Sequence, residues 1–208
     1  MAGESPPPPP CPYVGRGGLK LRHALDTFAL DPTGLTCADF GANVGGFTDC
    51  LLQAGAARVY AVDTGYGNLA WKLRQDPRVV VMERTNALHA DPPADDRARP
   101  ILMDLIAIDL AWTPQRHAIP AALRWLKPGA RIISLIKPHY EAAPDEKHLL
   151  HGGILTEPDA ERIVQRTVAA LPALGARALG LTRSPILGGA SKKKSAGNPE
   201  WLALLAPC

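Results

Sequence analysis

The sequence predicts an α/β fold: a mostly parallel central sheet flanked by helices, closed by an antiparallel β pair near the C-terminal end. Three observations carry this expectation. From Thr36 onward, short apolar runs alternate with amphipathic segments at helical spacing, the pattern of strand–helix–strand units. The first of these strands runs into Asp39-Phe40-Gly41-Ala42-Asn43-Val44-Gly45-Gly46-Phe47-Thr48, a glycine-rich turn that opens a helix. The run from Ile101 to Ala111 is apolar almost throughout, as expected of a central strand covered on both faces.

Taken in order, residues 1 to 12 contain Pro6 to Pro10, which favours extended polyproline and cannot build a packed element. We expect a disordered tail there and a single catalytic domain over 13 to 208. After the glycine-rich entry Gly15-Arg16-Gly17-Gly18, Leu19, Leu21, Ala24, Leu25 and Phe28 recur at helical spacing, which predicts a helix from about Leu19 to Leu30. Strands follow at Thr36 to Gly41, Arg58 to Asp63, Val79 to Glu83, Ile101 to Ala111 and Ala130 to Ile136. Helices are expected at Gly46 to Ala54, Leu69 to Arg74, Gln115 to Lys127 and Pro158 to Leu171. Pro120 is tolerated if it sits in a first turn, and Lys127-Pro128-Gly129 reads as a helix stop. The final pair is Ala176 to Arg183 with Glu200 to Leu205. Residues 88 to 99 read as a charged surface connection.

Composition sets limits on function. A chain of 208 residues is long enough for a substantial core, and its formal charge of +3 is too small to argue for nucleic-acid binding by itself. Any such case rests on local clusters. One is Gly188 to Ser195, where Lys192, Lys193 and Lys194 suit a loop against phosphates or, equally, a solvated basic loop. Cys11, Cys37, Cys50 and Cys208 have no C-x-x-C spacing, which fits a reducing cytoplasm. Met1 to Cys11 has no basic and apolar leader pattern, and Asp104, Asp109, Lys127 and Arg131 interrupt the best apolar runs, so no membrane span is expected.

The glycine turn is the first candidate site. Its spacing matches neither G-x-G-x-x-G nor a Lys-Ser/Thr-ended P-loop, and it points to S-adenosylmethionine, with Asp39, Gly41, Ala42, Gly45, Gly46 and Phe47 as cofactor candidates. The alternative is a turn that serves only close packing. Asp63 closes the second strand about twenty residues on, where a carboxylate can accept both hydroxyls of an adenosine ribose. Asn86, just past the third strand, is placed for an adenine edge, though asparagine there is equally a turn former. Asp109, flanked by Ile108 and Leu110, is counted among the cofactor candidates and needs a cationic partner, because an unpaired buried charge is costly. Lys137, delivered to the same sheet edge, is the candidate partner. Lys20, off the apolar stripe of the first helix, reads locally as a solvated residue. His148 and His151 share a spacing that can place two ligands on a helix face, but they match no strong zinc signature, and no metal is expected.

Together, Gly15 to Leu21, the glycine turn, Ala70 to Val79, Asp109-Leu110, Lys137-Pro138 and Asn198-Pro199-Glu200 resemble the FtsJ-type RNA ribose 2′-O-methyltransferases, in the haemolysin-like branch named for TlyA. The resemblance implies a Rossmann-like S-adenosylmethionine-dependent methyltransferase fold and a Lys-Asp-Lys-Glu tetrad on Lys20, Asp109, Lys137 and Glu200. It also implies RNA as substrate, ribosomal RNA or a ribosomal subunit first. Val44 and Asn86 depart from the wider family's proline and acid at the matching places. That branch normally carries a small N-terminal RNA-binding domain where this chain has a proline-rich stretch, so a separate RNA-binding partner is an expectation too. Oligomeric state is not legible. A methyltransferase with a non-RNA acceptor is the alternative; a membrane-active protein, as the haemolysin name suggests, lacks a spanning or strongly cationic amphipathic segment.

Overall fold

The computed structural model describes residues 11–189 and 197–208. Most of the proline-rich tail and Lys192 to Lys194 therefore lie outside the described residues. Seven strands form one sheet in the order β3-β2-β1-β4-β5-β7-β6. They are β1 (Thr36–Phe40), β2 (Arg58–Val62), β3 (Val79–Met82), β4 (Met103–Ile108), β5 (Leu126–Ile136), β6 (Ala176–Arg183) and β7 (Trp201–Pro207). Strands β1 to β5 pair in parallel, whereas β7 runs antiparallel to β5 and β6 antiparallel to β7. Strand order reverses between β1 and β4, and a crevice opens at the C-terminal ends of strands at such a switch point.

Two cores follow from the period-2 alternation of side chains. On one face Leu21, Leu25, Phe47 and Leu51 pack on Cys37, Val59, Leu105, Ile133 and Leu202. The helices concerned are α1 (Gly17–Thr27) and α2 (Gly46–Gln53). On the other face α4 (Gln115–Leu123) and α6 (Glu157–Ala170) bury Ala118, Ile119, Ile163 and Val164 against Ala38, Phe40, Ile106 and Ile132. Trp125 is fully buried there and meets the Phe40 ring edge-on at 5.0 Å between centroids. α6 is capped by Thr156, whose hydroxyl oxygen accepts from the Asp159 N–H. Two short helices complete the set, α3 (Trp71–Arg74) and α5 (Pro138–Glu141).

Alternation also aims the ends of the strands. Leu105 and Ala107 of β4, Ile133 and Leu135 of β5, and Leu202 of β7 all face α1. Stepping by two puts Asp109, Lys137 and Glu200 on that same face. The register pairs Ile136 with Trp201, so the next step sets Lys137 across from Glu200.

Several boundaries differ from the sequence reading. The helix from Gln115 ends at Leu123, and Lys127-Pro128-Gly129, expected as its stop, lies inside β5. Pairing of Leu126 with Met103 and the Lys127–Asp104 ion pair at 2.8 Å draw this segment into the sheet. Pro120 is the sixth residue of α4, not part of a first turn, and its missing N–H leaves one fewer bond in a nine-residue helix. α1 begins at Gly17 and stops at Thr27. β4 is shorter than the apolar run: Ile101 donates its N–H to Pro93 at 2.7 Å, and Leu110 turns out into the crevice. Among the described residues no helix is long and apolar enough to cross a membrane.

Candidate active site

A cleft of about 800 Å³ occupies the switch point. Its floor is the turn after β1. Gly41 N and Ala42 N donate to Val62 O at 2.9 and 3.1 Å, Gly45 N donates to Ala42 O at 2.7 Å, and Gly41 and Gly45 take φ of +93° and +97°. At Gly41 a Cβ would lie 2.6 Å from Asp109 O, so the turn after β1 and the end of β4 touch backbone to backbone. At Gly46 it would meet Gly18 N at 3.0 Å and Gly15 O at 3.2 Å. The two glycine-rich segments, far apart in sequence, are thus packed on one another.

The cofactor candidates separate into two groups. Gly41, Ala42, Gly46, Phe47, Asp63, Asn86 and Asp109 line the cleft. Asp39 and Gly45 do not line it. Gly45 faces Leu69 and Leu73. Asp39 is fully buried under the turn, where its Oδ2 accepts from Thr48 N at 2.9 Å and Thr48 Oγ1 at 2.7 Å; it therefore secures the first turn of α2. Its other oxygen has no partner among the described residues, and burial raises the carboxyl to about 7. Asp63 Oδ2 accepts from Asn43 N at 2.8 Å and its Oδ1 from Gly65 N at 2.7 Å, tying together the loops after β1 and β2. A carboxylate has about four acceptor positions, so capacity toward a ligand remains. Asn86 Oδ1 accepts from Leu88 N at 3.0 Å, the turn-forming role, while its residue still borders the cleft.

The raised Asp39 carboxyl has a thermodynamic signature. Between pH ~4 and ~7 the folded chain holds a proton that the unfolded chain releases, so this group's contribution to stability falls as pH rises through that window. Asp39→Asn removes that loss. Its melting temperature relative to wild type is expected to rise by roughly 5 °C between pH 4.5 and pH 8, with cofactor affinity changed only slightly. A constant difference across this range in thermal unfolding would refute the assignment.

On the side of the cleft under β4, β5 and β7 four charged side chains converge, from α1 and from the ends of those three strands. Lys20 Nζ lies 2.5 Å from Glu200 Oε2, and Lys137 Nζ lies 2.5 Å from Asp109 Oδ1. Lys137 also donates to Leu110 O at 3.0 Å. The anticipated Asp109–Lys137 pair is present. Lys20 is buried and not solvated, because Glu200, itself buried, comes in from 180 residues away to meet it. Burial pushes the Glu200 carboxyl up, and the Lys20 ammonium opposes that push. His148, by contrast, lies in a 3-10 turn (Pro144–Leu149) with Nδ1 2.6 Å from Asp145 O, and His151 sits past it in a separate bridge with Ile154.

Trp112, His139 and Tyr140 of this wall had no assigned role in the sequence reading, nor had Glu141, which lies outside the lining. Trp112 is 81% exposed, takes φ of +52°, lines the cleft and approaches the Tyr140 ring at 6.3 Å. A bulky residue held at positive φ with its ring in solvent is unusual. His139 lies between Lys137 and Tyr140 in the same wall. Glu141 accepts from Gln115 N at 2.8 Å, joining α5 to the start of α4 below the Trp112 loop. The available signal was an aromatic residue three positions past a charged strand end.

Comparison with known proteins agrees with this geometry. The FtsJ-like methyltransferase family matches residues 13–195. YqxC of Bacillus subtilis is 41% identical over 194 residues, covering 93% of this chain and 65% of its own length. The 16S/23S rRNA (cytidine-2′-O)-methyltransferase TlyA of Mycobacterium tuberculosis is 38% identical over 93% of this chain and 68% of its own. The chain thus spans about two thirds of these relatives. A solved structure from Streptococcus thermophilus, named as a hemolysin, superimposes with a TM-score of 0.85 at 38% identity, covering 96% of this chain and 68% of that one. By sequence and by fold, the chain belongs to the FtsJ-like methyltransferase family.

Proposed function

We propose that residues 13–208 form a catalytic unit that transfers a methyl group from S-adenosylmethionine to a ribose 2′-hydroxyl of RNA, with ribosomal RNA, free or in a subunit, as the substrate. The observation that carries this reading is the convergence of Lys20, Asp109, Lys137 and Glu200 as two ion pairs beside a glycine-floored cleft. The lining fits the cofactor: the Gly41-Ala42 backbone at the floor, the Asp63 carboxylate for ribose hydroxyls, and Asn86 beside them for a base edge. When bound, S-adenosylmethionine supplies a methyl group already activated by its sulfonium, so the chain has to align the acceptor and manage one proton.

Lys137 is the residue assigned to that proton. Asp109 Oδ1 and Leu110 O fix its amine from two directions, leaving one position on nitrogen for the ribose 2′-oxygen. Lys20 and Glu200 hold the opposite side of the same wall and keep its charge balanced. Trp112 and Tyr140 at the rim suit a base removed from its stack, since aromatic faces accept any base. The relative TlyA carries rRNA cytidine 2′-O-methylation in its name, which favours rRNA. A cytoplasmic location follows from such a substrate, and a separate RNA-binding partner remains part of the proposal.

The test is to incubate the purified protein with methyl-labelled S-adenosylmethionine and, separately, small-subunit RNA, large-subunit RNA and whole subunits from a methylation-deficient strain. Label is expected on a ribose 2′-oxygen and is expected to vanish in Lys137→Ala. Cofactor binding without label on any RNA would overturn the RNA reading in favour of another acceptor.

A further inference from the structure

His139 is a pocket-lining group to which the proposed chemistry gives no task. It sits at the second position of α5, directly after Lys137, on the acceptor side of the cleft. Its ring is held against that of Tyr140 with centroids 4.0 Å apart. Nδ1 is buried and has no hydrogen-bond partner among the described residues. The groups facing the imidazole are the ammonium ends of Lys137 and Lys20, and burial together with these two charges lowers its pKa to about 4, so the ring is neutral at physiological pH.

A neutral imidazole carries one proton, and the surroundings decide where. On Nδ1 it would be a buried N–H without an acceptor, one of the rarer and more costly defects in a folded chain. On Nε2 it leaves only an idle lone pair inside, and the N–H belongs to the nitrogen on the far side of the ring. The second tautomer is therefore the stable one, which makes His139 a fixed, uncharged donor beside two ammonium groups that are already paired with carboxylates.

We propose that His139 is a substrate-binding residue that donates its Nε2–H to a phosphate oxygen of the RNA strand flanking the ribose to be methylated. This rests on the RNA reading above. A phosphate oxygen fits because it is a strong acceptor with no proton to offer, because the RNA strand carries one on either side of the target ribose, and because Lys20 and Lys137 are already paired with Glu200 and Asp109, which leaves a neutral donor beside them to meet it. A neutral donor adds orientation without adding charge, so its loss should leave the salt dependence of RNA binding unaltered.

The experiment compares wild type with His139→Phe, which keeps a ring against Tyr140 but has no donor, and His139→Gln, whose amide restores one. Steady-state methylation of the RNA that the labelling experiment picks out, and direct titration of the small-subunit and large-subunit RNAs in the presence of S-adenosylhomocysteine, are both measured. Expected for His139→Phe is a rise of about 3- to 10-fold in RNA KM and Kd, with kcat, S-adenosylhomocysteine affinity and the slope of log Kd against log salt unchanged. His139→Gln should recover most of the loss. Unchanged KM and Kd in His139→Phe overturn the assignment alone, as does a loss that appears in cofactor affinity or that His139→Gln does not recover. Wild-type protein that binds no RNA overturns both this assignment and the reading it rests on.

Discussion

Lys137→Ala is expected to lower methyl transfer by about 10²- to 10⁴-fold, the range over which a positioned proton-transfer group contributes, while binding of S-adenosylmethionine stays near normal. The separation follows from placement. Lys137 extends from the end of β5 to Asp109 and Leu110 O on the acceptor wall, whereas the glycine turn and Asp63 lie on the other side of the switch point. Truncation leaves Asp109 without its ammonium, but that carboxylate is part-exposed to the cleft and can be rehydrated, so the fold should survive. Two roles are open to the amine: removing the proton, or stabilising the developing oxyanion as a cation. Lys137→Arg distinguishes them. A guanidinium stays charged at any accessible pH, so substantial retained activity marks the electrostatic role and loss comparable to alanine marks the base. Near-normal turnover in Lys137→Ala would remove the residue from the mechanism.

Much of this wall was legible because strands alternate faces. Asp109 and Lys137 each end an apolar run, and their pairing follows from two central strands being neighbours. Glu200 needed the register of β7 on β5, which the family resemblance stood in for and no local pattern supplies. Lys20 shows the limit of helical periodicity: the stripe correctly placed Leu21, Ala24 and Leu25 in the core, but it could not show that a buried carboxylate from the far end of the chain would cover the adjacent lysine. Asp39 was read as a ligand from the motif it opens. Its side chain points into the sheet–helix interface on the α2 face, as alternation with Cys37 requires, and there Thr48 is within reach. Lys127-Pro128-Gly129 misled for a related reason, because its conformation is set by Met103 and Asp104 on the neighbouring strand. Trp112 was not picked out as a pocket residue since an aromatic in a loop carries no periodic signal; its place three positions past Asp109 was the one hint, and its exposure makes the role visible.

Gly41→Ala should damage stability and chemistry together, and a second glycine supplies its control. Gly41 takes φ of +93°, and the added Cβ would sit 2.6 Å from Asp109 O and 3.0 Å from Asp109 C. Those are backbone atoms just past the end of β4, tied to β1 by the Asp109 N–H donating to Phe40 O at 2.9 Å, and they cannot swing aside as a flexible side chain would. Strain at positive φ costs roughly 1–3 kcal/mol and overpacking about as much again, which for a chain this size amounts to a fall in melting temperature on the order of 10 °C. Relief requires β4 to move at Asp109 and Leu110. The anchors of Lys137 would then shift with it, so methyl transfer is expected to fall more than about 100-fold even in the folded fraction, since displacement on the order of 1 Å is enough for such a loss. Gly67→Ala isolates the conformational part: Gly67 has φ of +75° but open space around its Cβ position. It should cost only the conformational share, roughly 1–2 kcal/mol, and leave activity intact. If Gly41→Ala behaves like Gly67→Ala in melting temperature, cofactor affinity and turnover, the close contact between the glycine turn and the end of β4 is not what sets the catalytic wall in place.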